Sequence, residues 1–203
     1  MMPKELVEMA NVQQLRRSPL AARSEELHNA SGDAVAVREI PFTTQVGIRA
    51  TQGTEGYDAL AAALGGLPAK VGDVVGEPST TAVVWMSPDE FLAIDKPDTG
   101  LAETLERTLG DHSGQVLDLS ANRTIIEVSG EAAELVLRKS CPLDLHPRAF
   151  QVNQAYVTEV AQTPLILWRV AEHTWWLAPR ISFADHVTNW LLDAMVEFSG
   201  TKG

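Results

Sequence analysis

A chain of 203 residues with 45% hydrophobic and 21% charged side chains has enough apolar sequence for a substantial core and falls outside the disordered class. Its formal net charge of -11, from 27 acidic against 16 basic side chains, repels a phosphate backbone over most of the surface and excludes nucleic acid as the expected partner. One cysteine excludes an internal disulfide and any multi-thiolate zinc or iron–sulfur site within the chain, and no apolar run is long enough to span a bilayer, so a cytoplasmic location is expected.

Residues 1–33 have weak periodicity, a Ser18-Pro19-Leu20 break and a polar run from Ser24 to Asp33. They read as an extended N-terminal arm, acidic and without a signal-type core over its first ten residues, ordered where a partner covers it. Short alternating or wholly apolar runs then predict strands at 35–40, 45–50, 81–86, 91–95 and 115–119, and again at 124–128, 156–161, 165–170 and 174–178. Helical spacing predicts helices at 57–64, 101–109, 131–139 and 183–198, the third opened by Ser129-Gly130. The loop 65–80, rich in glycine and proline, is the expected excursion.

The order of these elements predicts an α+β fold of two fused ferredoxin-like halves, 34–119 and 120–203, behind the arm 1–33. The early strand 35–40 is placed to cross over and complete the second sheet.

The chemically suggestive residues read mostly as architecture. Cys141 and His146 are a nucleophile and base by type, yet a packed thiol and a turn-capping histidine fit the same sequence, and no third orienting residue stands near them. Asp144 and His146 are too few for a metal site. Asp118 and Ser120 bracket a strand end, where short polar side chains satisfy turn backbone, and Arg123 is expected to pair with a nearby carboxylate. No dinucleotide or phosphate-loop glycine spacing occurs. No catalytic, cofactor-binding or metal residue is therefore assigned. Trp175 and Trp176 point to opposite faces of a strand, which makes the pair a candidate for an interface, as are Arg17, Pro19 and Leu20 in the arm.

Several motifs carry a resemblance. They are Arg17-Ser18-Pro19-Leu20, Trp85 with Pro88-Asp89-Glu90-Phe91-Leu92, Asp118-Leu119-Ser120 with Asn122-Arg123-Thr124, Cys141-Pro142-Leu143-Asp144-Leu145-His146-Pro147 with Phe150, Ser182-Phe183-Ala184, and Trp190-Leu191. In that order and spacing they resemble the gamma subunit of heterotetrameric sarcosine oxidase over nearly the whole chain. Ile181 departs from the pattern by separating Arg180 from Ser182. More distantly, Asp118-Leu119-Ser120, the strand 126–128, Gly130 and Ala133 are similar to the folate-binding domain of aminomethyltransferases, in which a later segment carries a glycine pair and an acidic residue. The corresponding stretch here, Ala161-Gln162-Thr163-Pro164, has neither.

The resemblance implies the folate-domain scaffold and a non-catalytic gamma subunit. Its partners would be alpha, beta and delta subunits, in a complex that demethylates sarcosine oxidatively to glycine and hydrogen peroxide. The one-carbon unit would leave as formaldehyde, or as 5,10-methylenetetrahydrofolate when tetrahydrofolate is present. FAD, FMN, NAD, tetrahydrofolate and zinc would belong to the other subunits. The alternative is a free-standing folate-binding or aminomethyltransferase-like protein, against which the missing carboxylate counts.

Overall fold

Helix α2 (Glu55–Leu64) begins where Thr54 Oγ1 accepts the Tyr57 N–H at 3.3 Å and ends on Gly65, whose left-handed conformation (φ 74°) turns the chain back. Leu60 is buried against the sheet below it. That sheet contains β2 (Thr44–Arg49), β3 (Val74–Gly76), β4 (Ala82–Ser87), β5 (Glu90–Asp95) and β6 (Gln115–Asp118), all antiparallel, in the order β3-β4-β5-β2-β6. With α3 (Leu101–Leu109) it makes a ferredoxin-like unit extended at one edge by the short β3. Leu60, Leu105 and Leu109 cover Val46, Ile48, Val83 and Phe91, the residues that alternate onto this face. The structure is a computed structural model and describes residues 15–198. The first 14 residues of the arm expected to be ordered by a partner lie outside the described residues.

The second sheet repeats the plan with an exchange. Its strands β7 (Ile125–Ser129), β8 (Gln154–Val160), β9 (Thr163–Ala171) and β10 (Thr174–Pro179) come from the second half, but its edge is β1 (Ala36–Ile40), giving the antiparallel order β1-β7-β10-β9-β8. Ala36 lies opposite Ser129 and Ile40 opposite Ile125, so the early strand crosses over as its position suggested. Helices α4 (Ala133–Arg138) and α5 (Ala184–Met195) cover the outer face, with Val136, Leu137, Val187 and Leu191 buried over Ile126, Val128, Leu167 and Leu177.

Two elements differ from the sequence reading. The polar run after Arg23 forms helix α1 (Ser24–Ala30), started by Glu25 and Glu26 in its first turn and an Arg23–Glu26 ion pair of 2.8 Å, with Leu27 as its one buried residue. One apolar contact leaves no periodicity to read. Strand β3 is three residues within the glycine- and proline-rich loop, and it exists because β4 offers it an edge.

Each sheet carries helices on one face only. The two remaining faces pack against each other, with Ala82, Val84, Leu92 and Ile94 of the first sheet meeting Ile125, Ala155, Ile166, Trp168 and Ala178 of the second. The layers therefore run helix, sheet, sheet, helix.

A tight backbone approach lies at Gly130, between β7 and α4. Its φ is 113°, and a Cβ placed there would stand 2.4 Å from the Ala34 carbonyl oxygen, which already accepts the Ala132 N–H at 2.9 Å. Gly130→Ala is predicted to destabilise the protein by about 2–4 kcal/mol in urea denaturation, because backbone rather than a side chain must give way. A loss below about 0.5 kcal/mol would contradict this account of the approach.

Candidate functional site

Alternation along β1 puts Glu39 on the side of Val35 and Val37, an acid in an apolar row. Its carboxylate accepts three hydrogen bonds, from Ser18 Oγ at 2.5 Å, Thr124 Oγ1 at 2.6 Å and the Leu20 N–H at 3.3 Å. Glu39 thereby fastens the arm to the start of β7, and Leu20 enters the core of the second sheet. Upstream, Arg16 pairs with Asp98 at 2.9 Å and lies 4.7 Å over the ring of Phe42.

The passage from β6 to β7 turns on its own side chains. Asp118 Oδ1 accepts the Ser120 N–H (2.9 Å) and hydroxyl (2.6 Å), and Ser120 Oγ accepts the Gln45 N–H (3.0 Å). The buried Gln45 side chain donates to Thr43 Oγ1 and to the Arg123 carbonyl. The strand-end reading of Asp118 and Ser120 matches this turn.

Arg123 corrects an expectation. Its guanidinium donates to the Ala178 carbonyl at 3.1 Å instead of pairing with a carboxylate, and its backbone bridges to that of Arg180. Burial, and then the Arg180 charge, hold the guanidinium pKa below its ordinary value. It remains a cation, facing a cavity of about 690 Å³ whose walls also include Arg17, Ser18 and Pro19 from the arm, Asp118, Ser120 and Thr124 from the turn, and Ile181. Two motifs separated by a hundred residues of chain thus meet at one cavity, the candidate site of this protein. Sequence reasoning missed Glu39 and Phe42, which hold the arm in place. The signal for Glu39 was the acid at an apolar position of the Val35, Val37 row.

The remaining candidates are dispersed. Cys141 is buried below α4, its N–H bonded to the Leu137 carbonyl at 2.9 Å, and burial pushes its thiol pKa up. His146 is exposed and uses Nδ1 to accept the Arg148 N–H at 3.2 Å, while Asp144 accepts the His146 N–H at 3.0 Å. These side chains cap a turn. Among the described residues no group of three or more His, Cys, Asp or Glu side chains is placed to hold a metal ion.

The tryptophan pair divides between faces. Trp175 is fully buried, edge-on to Phe150 at 5.0 Å, with the Arg169 guanidinium 5.1 Å over its ring. Trp176 is half-buried, donates Nε1–H to Glu127 at 2.9 Å and meets Trp168 edge-on at 5.2 Å. Of the arm residues singled out, Arg17 and Pro19 are exposed and Leu20 is buried.

At the β8–β9 hairpin, Ala161 and Gln162 form a two-residue loop with φ of 53° and 58°. Both lie in the left-handed region that glycines occupy without strain. The Ala161 N–H donates to Ser140 Oγ (2.7 Å) and its carbonyl meets His186 Nε2 (3.0 Å), so the turn is tied to the ends of α4 and α5.

The model of the sarcosine oxidase, gamma subunit family matches residues 53–197 of the chain. The chain belongs to that family. It is 53% identical over 198 residues to the sarcosine oxidase subunit gamma of Corynebacterium sp. (strain U-96), covering 96% of this chain and 97% of the relative. To the subunit gamma of an Arthrobacter sp. it is 55% identical over 187 residues, 91% of this chain and 92% of the relative. Among solved structures, a chain of the heterotetrameric sarcosine oxidase from Corynebacterium sp. U-96, in complex with pyrrole 2-carboxylate, superposes with a TM-score of 0.90 at 52% identity, covering 94% of this chain and all (100%) of that one. The glycine cleavage system aminomethyltransferase T from Bartonella henselae superposes with a TM-score of 0.65 at 14% identity, over 88% of this chain and 57% of that one. The second likeness is one of fold, and it matches the folate-domain scaffold expected from the motifs.

For this family member the buried thiol predicts slow chemistry. Cys141 should react with a disulfide reagent at pH 8 at least about tenfold more slowly in the native protein than after unfolding. The same raised pKa means that the stability tied to the neutral thiol is present below the ordinary thiol pKa and is lost as pH rises through the elevated one. Cys141→Ser should cost about 1 kcal/mol or somewhat more by thermal or urea denaturation.

Proposed function

We propose that this chain is the non-catalytic gamma subunit of a heterotetrameric sarcosine oxidase and serves its assembly. The whole complex would convert sarcosine to glycine, hydrogen peroxide and formaldehyde, or 5,10-methylenetetrahydrofolate when tetrahydrofolate is present. The observation that carries the reading is the superposition on a chain of such a complex at 52% identity over the full length of that chain. Supporting it, the segment that in aminomethyltransferases supplies a glycine pair and an acid is here a turn of Ala161 and Gln162 bonded to two helices. The buried, proton-holding Cys141 also makes a poor nucleophile.

In this proposal the alpha, beta and delta subunits are the partners, and FAD, FMN, NAD, tetrahydrofolate and zinc reside on them. The arm 1–33 and the two halves 34–119 and 120–203 act as one scaffold. The location is cytoplasmic. Among the described residues no helix is long and apolar enough to cross a membrane. Arg17 and Pro19, which are exposed, and Trp176, which is half-buried, are the candidates for direct contact at the interface, while Leu20 and Trp175, buried in the core of the second sheet, would act from within by supporting them.

The chain expressed alone should be colourless and should not consume oxygen with sarcosine, whereas co-expression with the larger subunits should yield a flavin-coloured complex that retains it through gel filtration. A flavin spectrum that stays with the isolated chain would falsify the reading. Tetrahydrofolate titrated into the isolated chain by calorimetry should show no saturable micromolar binding. Replacing a carboxylate removes a charge-assisted hydrogen bond of roughly 1.5–3 kcal/mol, or one to two orders of magnitude in affinity. Binding that disappeared on mutation of Gln162 would instead favour a folate-binding module.

A further inference from the structure

The charges around the cavity do not close within the chain. Asp98 is taken by Arg16, Asp118 by the backbone and hydroxyl of Ser120, and Glu39 by Ser18, Leu20 and Thr124. The acid that acts on Arg123 most is Glu90, which itself lies 3.6 Å from Arg49. Glu103 sits across the cavity in the first turn of α3, where the helix end favours a carboxylate. Among the described residues, Arg17 and Arg123 are therefore cations without a carboxylate partner. Arg17 is exposed at the rim, and Arg123 is half-buried, bound by one carbonyl and flanked by the like charge of Arg180.

A half-buried guanidinium bound by one carbonyl, with Arg180 beside it and no carboxylate in direct contact, is tolerable while it faces solvent and costly once covered, unless the covering surface brings an anion. We propose that the cavity is the docking site for an acidic segment of a partner subunit, with a carboxylate of that segment held by Arg123 and Arg17 together. The inference rests on the reading of the chain as a subunit of a complex. About 690 Å³ is room for several side chains and far more than a single ion needs, and Phe42, Leu101 and Ile181 give the segment an apolar wall beside the two cations. Ile181 is 45% exposed. The cavity wall balances the guanidiniums of Arg16, Arg17 and Arg123 against the carboxylates of Asp98, Glu103 and Asp118, whereas the protein as a whole stands at -11 and most of its surface turns acidic segments away, so the two arginines without a carboxylate partner set where on this wall such a segment lands. The planar fork of arginine suits a carboxylate, and Arg123 is fixed for that task by its bond to the Ala178 carbonyl.

The test is made on the co-expressed complex, tagged on a large subunit, with wild-type chain, Arg17→Gln, Arg123→Gln, Arg123→Lys and the double glutamine variant. Gamma-chain dissociation is followed by native mass spectrometry over a range of salt concentrations. Each glutamine variant should weaken retention about tenfold, Arg123→Lys should fall between it and wild type, and the double variant should lose most of the salt dependence. Arg17 is exposed at the cavity and makes no hydrogen bond or ion pair within the described residues, so Arg17→Gln tests the idea even if Arg123→Gln is poorly folded. Wild-type chain that never co-purifies would overturn the subunit reading and the inference with it. Wild-type retention with unchanged affinity in both glutamine variants would overturn the inference alone. Saturable binding of free glutarate to the isolated chain, lost in Arg123→Gln while assembly is unaffected, would overturn it in favour of a small-molecule site.

Discussion

Two antiparallel sheets, each clothed by helices on one side, have one way left to hide their other faces, and they use it by packing on each other. Trp168, Ile166, Ile125, Leu92 and Ile94 sit at that contact nearly without exposure. Each such side chain contributes on the order of 1.5–3 kcal/mol by leaving water, so the contact outweighs any single polar feature of the protein. Its consequences reach the candidate site. The chain passes between sheets at 40–44, from β1 to β2, and at 118–125, from β6 to β7, and both passages line the cavity. Polar side chains collect there because the backbone leaves its ladders and needs other partners: Asp118, Ser120 and Gln45 supply them, and Thr43 Oγ1 accepts from the Gln45 amide.

A second dependence is electrostatic. Glu39 gathers Ser18, Leu20 and Thr124, joining the arm, β1 and β7 through one carboxylate. The arm that begins beyond it contributes both an internal pair, Arg16 with Asp98, and an unpaired cation, Arg17. Deeper in the second sheet, Arg169 shows the opposite solution. It is 3% exposed, donates to the Phe150 and Glu172 carbonyls at 2.8 and 2.7 Å and covers the Trp175 ring, so its charge is settled within the chain by backbone dipoles and an aromatic face.

The long elements were legible in the sequence because their burial follows a period. In β2, Val46 and Ile48 alternate, and in α5 Val187, Leu191 and Ala194 recur by helical steps. Helix α1 was hidden by having one buried residue, and β3 by being three residues in a loop. The polar strand end 118–120 was read in kind, but the partner of Arg123 was not, since a carbonyl on β10 leaves no trace in composition or spacing. The motifs that form the cavity were visible singly. Their meeting was not, because it is made by tertiary contact between the arm and the passage joining the sheets. The tryptophan doublet announced opposite faces correctly, while the depth of each face depended on what covered it: Phe150 and Arg169 on one side, Trp168 and Glu127 on the other.

The crossover of β1 bears on how the protein is made. During synthesis β1 emerges early, yet the strand it pairs with, Ile125–Ser129, follows only after the whole first sheet. At translation rates of about 5–20 residues per second, that leaves β1 without its partner for seconds, while the first sheet has every strand it needs. Until then Val35 and Val37 belong to an unpaired edge on the nascent chain, open to the wrong strand or to a chaperone. The topology that knits the halves together thus also makes the second half the late folder, and it makes the interval before β7 appears the moment at which misassembly is easiest.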